Sequence, residues 1–166
     1  MKHSHLLFLA ATVVLFSLAA AGFADSRDWS LIDTKGETFT LSEAQPAAPT
    51  LLVFWASWCV PCKKELSDYQ KDLEAMSDKG VRVLLVAIDD QKTQARVKPY
   101  VESKGFNFRV LLDTGREVLK RYGGNNVPFT VLLDKDNKTV KVYQSGIRDI
   151  KALTTQVNSL LGGSSE

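Results

Sequence analysis

Histidine and cysteine are among the scarcest residues of this 166-residue chain, with two of each. Both histidines, His3 and His5, lie within the first 24 residues, so the chain beyond Ala24 has none. That absence excludes Ser-His and Cys-His nucleophilic triads there, along with zinc or copper centres built on histidine. Two cysteines are too few for a disulfide framework. Ten glycines and five prolines are too few for a collagenous or low-complexity chain. An excess of one charge sign is missing too: 21 Lys+Arg against 19 Asp+Glu leave a formal +2, too little for an electrostatic nucleic-acid binder. What is present, 45% hydrophobic and 24% charged residues, composes one compact domain able to bury most of its apolar surface.

The one long apolar run is Leu6–Ala21, broken only by Thr12 and Ser17. Lys2 supplies a firm positive charge ahead of it, and Gly22-Phe23-Ala24 behind it places small residues at the first and third positions before Asp25. A basic head, an apolar run and a small-x-small site describe a secretory signal peptide, residues 1–24, cut after Ala24. At about 16 to 18 residues the run also sits at the low edge of what crosses a bilayer, so an uncleaved anchor is the alternative. No cysteine follows it, which argues against a lipid-modified N-terminus. Lys2 is the only charged residue of this segment, so residues 25–166 hold 20 basic and 19 acidic side chains. Both cysteines remain, in a compartment that permits disulfides.

Residues 25–161 contain no repeat, low-complexity stretch or long linker and read as one domain; residues 162–166 read as a flexible tail. Trp29–Leu41 predicts two short strands around a turn at Asp33–Gly36. After a loop, Gln45–Pro49, the apolar run Thr50–Trp55 marks a central strand buried on both faces. From Cys59 to Lys79 the period changes. Leu66, Tyr69, Leu73 and Met76 recur at helical steps and Gly80 follows as a cap, so one amphipathic helix packed on a sheet is expected. Val81–Ile88 predicts a second buried strand. A helical pattern then runs to Lys104, with Pro99 expected to kink or restart it and Gly105 to end it. Phe108–Leu112 predicts a strand and Arg116–Tyr122 a short helix. Phe129–Leu133 and Val140–Tyr143 predict a hairpin about Asp134–Lys138. Asp149–Leu161 predicts a final helix, with Ile150, Leu153, Val157 and Leu160 on one face. The alternation gives an α/β fold, a mixed sheet with helices on both sides.

The two cysteines form Cys59-Val60-Pro61-Cys62, after a buried strand and at the opening of the amphipathic helix. Three residues apart on a first helical turn, their sulfurs share a side and can reach each other. Unpaired N–H groups and the positive end of the helix dipole favour a thiolate at Cys59. Pro61 suits a turn that needs no N–H from it, and Lys63 and Lys64 add positive charge. The pattern predicts Cys59 as nucleophile, its pKa lowered, and Cys62 as resolving thiol. Three plainer readings compete. A structural disulfide across so short a loop would restrict the unfolded chain little. A zinc or copper site lacks third and fourth ligands, and no metal is expected. Haem attachment needs a histidine where Lys63 stands. The redox dithiol is favoured.

The run Phe54-Trp55-Ala56-Ser57-Trp58-Cys59-Val60-Pro61-Cys62-Lys63 resembles the active site of the thioredoxin superfamily, and the likeness extends over nearly the whole chain after residue 24. Trp29–Leu41 resembles the added N-terminal hairpin, and Asp89–Arg109 the central insertion, of the TlpA/ResA-like membrane-associated and periplasmic branch. The resemblance implies a thioredoxin fold with an N-terminal β-hairpin and a central β/α insertion. It also implies that Val127-Pro128 is the family's cis-proline, beside the cysteine pair and binding the partner's extended chain; alone, Pro128 reads as a turn proline. Val53 stands where thioredoxin has a buried, proton-relaying aspartate. A valine cannot titrate, so Cys62 needs another acid or base, or water. The resemblance points to Asp90, beside Asp89, at the start of the insertion, although Asp90 also reads as a solvated loop acid. Phe129 replaces the usual threonine after the cis-proline, and Ser67 replaces a proline that often bends the first helix. Trp58 is expected as an exposed apolar platform over the site, and Trp55 as core.

These readings lead to an exported thiol–disulfide oxidoreductase, in the periplasm or on the extracytoplasmic face of the membrane, needing no organic cofactor. The resemblance implies reduction of envelope-protein disulfides, such as apocytochrome c haem-binding cysteines or metal-site cysteines. It also implies recharging by a membrane electron-donor thiol protein, and a monomer. Val60-Pro61 lacks the histidine that strongly oxidising relatives carry between their cysteines; one missing charge does not decide the direction, and the reducing side is expected. A disulfide-forming or isomerising oxidase is the enzymatic alternative. A copper-binding or chaperone module is the non-catalytic one, disfavoured because no histidine joins the cysteines and Met76 is the only methionine after residue 24.

Overall fold

The computed structural model describes residues 28–44 and 47–162. The expected leader or anchor, and the tail beyond residue 162, lie outside the described residues.

Seven strands make one sheet: β1 (Ser30–Asp33), β2 (Thr38–Thr40), β3 (Thr50–Trp55), β4 (Arg82–Ala87), β5 (Arg109–Leu112), β6 (Phe129–Leu133) and β7 (Thr139–Tyr143). Their spatial order is β2-β1-β5-β4-β3-β6-β7. The apolar run of β3 is buried at all six positions because it lies at the centre, parallel to β4 and antiparallel to β6. Parallel β3, β4 and β5 joined to antiparallel partners give the expected mixed sheet.

Five helices flank it: α1 (Val60–Asp68), α2 (Gln70–Asp78), α3 (Val97–Lys104), α4 (Glu117–Arg121) and α5 (Ile150–Gly162). Alternation along β3 sends successive side chains to opposite faces. Trp55 meets Tyr100 of α3 on one face, while Phe54 meets Tyr122, just past α4, on the other. Helices therefore cover both faces.

One expectation changes, and the alternative at Pro99 is decided. The single helix expected from Cys59 to Lys79 is two helices, bent at Tyr69 (φ −106°, ψ 9°). Backbone bonds from Tyr69 N–H to Glu65 O and from Leu73 N–H to Tyr69 O continue through the bend, so Leu66, Leu73 and Met76 stay buried on one side. Periodicity survives the bend and hides it. Pro99 restarts rather than kinks: a 3₁₀ turn, Gln94–Arg96, precedes α3, and Pro99 falls in the first turn, where its missing N–H costs nothing. Gly105 ends α3 with φ +65°, a conformation that suits glycine.

The N-terminal hairpin β1–β2 pairs antiparallel with β5, through Ile32 opposite Leu112 and Asp33 opposite Leu111. It extends the sheet, and Trp29, Phe39 and Leu41 join the hydrophobic core.

Candidate active site

β3 ends at Trp55, and three residues carry the chain into α1. The buried Asp89, just beyond β4, anchors this crossing: it accepts the Ser57 N–H at 2.8 Å and the Ser57 hydroxyl as well. The Cys59 N–H closes a turn on the Ala56 carbonyl at 3.0 Å. Cys59 is the N-cap residue of α1, with extended backbone (φ −82°, ψ 100°), and Cys62 N–H donates to Cys59 Sγ at 3.2 Å. Sulfur here takes the place of the side-chain oxygen that usually caps a helix. Cys59 and Cys62 form a disulfide, with Cα atoms 5.3 Å apart. Both are nearly enclosed, Cys59 at 4% exposure and Cys62 at 1%.

The Val127–Pro128 peptide is cis, and the Val127 carbonyl oxygen lies 3.9 Å from Cys59 Sγ. Glu65 reaches from α1 to the segment that follows β7. It sits one helical turn beyond Cys62, and its Oε2 accepts the Ile147 N–H at 2.9 Å. Gly146 has φ +81°, and a Cβ there would collide with Glu65 Oε2 and stand 3.1 Å from Pro128 Cγ. Glu65, Gly146 and Pro128 therefore converge. Burial pushes the Glu65 carboxyl above the usual carboxylate range, against the opposing pull of the Ile147 N–H.

Trp58 is 46% exposed, with the Arg116 guanidinium 6.0 Å from its ring centroid, while Trp55 is fully buried against Tyr100. Lys63 lies over the Tyr100 ring and Lys64 pairs with Asp68. Val53 is buried in β3 between Leu85 and Thr130.

The structure thus brings Cys59, Cys62, Trp58, Val127 and Pro128 to one end of the sheet. Asp90 is turned to its own loop. Exposed, it accepts the N–H groups of Lys92 and Thr93 and the Thr93 hydroxyl, each at 3.0 Å. Those bonds, the Thr93 hydroxyl first, hold its carboxyl below the usual range. No hydrogen bond or ion pair joins it to the cysteines among the described residues. Glu65, three residues beyond Cys62, was not singled out from the sequence, although that spacing was readable.

The family model described as AhpC/TSA matches residues 24–142. The chain belongs to the AhpC/TSA family. This family member is 30% identical over 158 residues to the thiol-disulfide oxidoreductase ResA of Bacillus subtilis, a match covering 86% of this chain and 87% of the relative. Among solved structures it resembles a protein assigned as the thiol:disulfide interchange protein DsbE of Chlorobium tepidum. That match has a TM-score of 0.71 and 25% identity, over 81% of this chain and 94% of the other. It also resembles the exposed lipoprotein thioredoxin Etrx1 of Streptococcus pneumoniae, with a TM-score of 0.66 and 29% identity, over 80% of this chain and 98% of the other. The mixed sheet with its flanking helices is a thioredoxin fold. This family member is a thiol–disulfide oxidoreductase with a Cys-x-x-Cys pair. No helix among its described residues is long and apolar enough to cross a membrane.

Proposed function

We propose that the chain reduces protein disulfides outside the cytoplasm, with Cys59 as attacking sulfur, Cys62 as resolving sulfur and Glu65 as proton acceptor. In the dithiol state the Cys59 thiolate attacks one sulfur of a partner disulfide. The partner's S–S bond breaks, its other sulfur leaves as thiolate, and a mixed disulfide joins the partner to Cys59. Cys62 then gives its proton to the Glu65 carboxylate and attacks Cys59 Sγ. The mixed disulfide breaks, the partner's second sulfur leaves as thiolate, and the Cys59–Cys62 disulfide closes. Two electrons pass to the partner, and an external dithiol protein returns them. The exposed Trp58 ring and the Val127–Pro128 loop dock the partner chain.

The observation that carries this assignment is the bond from Cys62 N–H to Cys59 Sγ at the N-terminus of α1. The donor and the helix dipole stabilise negative charge on that sulfur and not on the other. Export is supported by the apolar run between Lys2 and Asp25, and by likeness to a relative named as an exposed lipoprotein. The resemblance supports partners whose cysteine pairs await haem or metal.

The deciding experiment is the reduction potential of the Cys59–Cys62 couple, equilibrated against defined dithiol buffers. A value at or below about −220 mV is expected of a reductant. A value near −120 mV would make the protein a disulfide donor and overturn the direction proposed here.

A further inference from the structure

We propose that Arg116 is a specificity-determining residue that selects partner disulfides flanked by a carboxylate, an inference that rests on the docking role given to Trp58 above.

Arg116 and Asn137 are the only non-glycine residues with positive φ among the described residues. Asn137 sits in the turn between β6 and β7, a setting where asparagine takes this conformation readily. Arginine has no such affinity, yet Arg116 is held at φ 57°, ψ 26°. Its turn is fixed from several directions. Arg116 N–H donates to Asp113 O at 2.9 Å, and Asp113 N–H donates to Ala87 O on β4 at 2.8 Å. The buried Asp113 carboxylate accepts the Leu119 N–H at 2.9 Å, and Lys120 N–H donates to Arg116 O at 3.1 Å. A strained backbone locked in this way aims a side chain, and strain of this kind collects at functional sites. Here it holds the guanidinium over the half-exposed Trp58 ring, one residue before Cys59.

The same guanidinium has no hydrogen bond or ion pair among the described residues. Arg109 is engaged with Asp33 and Glu37, Arg82 with Thr50 and Ala44, and Arg121 with the Asp28 carbonyl. Arg96 and Arg148 share the lack of a hydrogen bond or ion pair among the described residues, but Arg116 is the arginine that lies over the Trp58 ring. Arg116 therefore presents a fork of N–H donors beside the platform on which a partner chain would lie. Its chemical complement is a planar carboxylate, which accepts two parallel N–H bonds. The indole already covers one face of the cation, which reduces the water a partner must displace.

The test compares kcat/KM of the reduced full chain on two disulfide-linked peptides that differ only in Glu or Lys beside the disulfide. An uncharged hydroxyethyl disulfide serves as reference. The wild type should prefer the Glu peptide about fivefold at low salt, the scale of a partly exposed ion pair, and less at high salt. Arg116→Gly relieves the positive φ and so should fold at least as well, while the preference falls to about 1. Arg116→Glu should invert it. A wild-type ratio near 1, or a preference that persists in both variants, would overturn the proposal. Failure of the wild type to reduce even the uncharged disulfide would overturn the reductase reading beneath it.

Discussion

At the scale of single residues, the proton on Cys62 decides how the second half of the exchange runs. Glu65 lies one turn along α1 from Cys62, with its carboxyl pushed above the usual carboxylate range by burial, against the pull of the Ile147 N–H. The folded pKa lies above the reference value of 4.5, so the protonated form favours the folded state. This group costs no stability below that value; the cost grows as pH rises through the folded pKa and persists above it. Glu65→Gln keeps an acceptor for the Ile147 N–H but cannot take a proton. It should slow resolution about a hundredfold, accumulate a mixed disulfide on Cys59 as Cys62→Ser does, and erase the acidic limb of the pH–rate profile. Its urea midpoint should exceed the wild type's at pH 7 and match it near pH 4. Rapid acid quenching and pH-dependent denaturation read both effects, and resolution at the wild-type rate would take the proton away from Glu65. The cysteines were legible because their chemistry needs two residues at one local spacing. Glu65 was not, because its burial comes from the Gly146–Ile147 backbone, 82 positions along the chain, which no local pattern reveals.

Between elements, the site depends on a link from the end of β4 to the loop after β3. Asp89 supplies it, taking the Ser57 N–H and hydroxyl while fully buried. Asp89→Ala would leave the Ser57 N–H buried without an acceptor, a loss of about 2–3 kcal/mol, whereas Ser57→Ala removes only the hydroxyl bond and should cost about 1 kcal/mol. Urea denaturation of both variants and the double variant checks this, since coupled partners lose less together than the two losses added. The Asp89→Ala loop should also expose Cys59 to alkylating reagent faster in the reduced protein. Equal stability of the two single variants would mean that the crossing is held by other contacts. Apolar runs announced β3 and β4 themselves. That two adjacent acids divide into a buried anchor and an exposed turn cap was not announced, because Asp89 and Asp90 differ only in which side of the chain each faces.

For the molecule as a whole, the question is whether the N-terminal hairpin is an ornament or part of one cooperative unit. Its turn is built on Asp33, 4% exposed, whose Oδ1 accepts the N–H groups of Lys35 and Glu37 at 2.9 Å while Oδ2 pairs with Arg109 Nε at 2.9 Å. Burial works to raise the Asp33 pKa, but the two N–H bonds and Arg109 together outweigh it and leave the carboxyl below the reference 3.8. A depressed pKa contributes stability above the unfolded value, and that contribution is lost as pH falls through the folded one. Asp33→Asn should therefore cost about 1–2 kcal/mol at pH 7, toward the lower end for a charged hydrogen bond because Arg109 is 36% exposed, and much less near pH 2. The hairpin packs Trp29, Phe39 and Leu41 into the common core, and Trp29 Nε1 donates to the Tyr122 hydroxyl at 3.0 Å across the fold. Tryptophan fluorescence and far-UV circular dichroism should therefore report one coincident transition, shifted as a whole by the substitution. A separate early fluorescence transition would mean that the hairpin opens alone. Coincidence would instead bind the hairpin to the redox site through β5 and β4, since the strand that β1 pairs with lies beside the strand leading to Asp89.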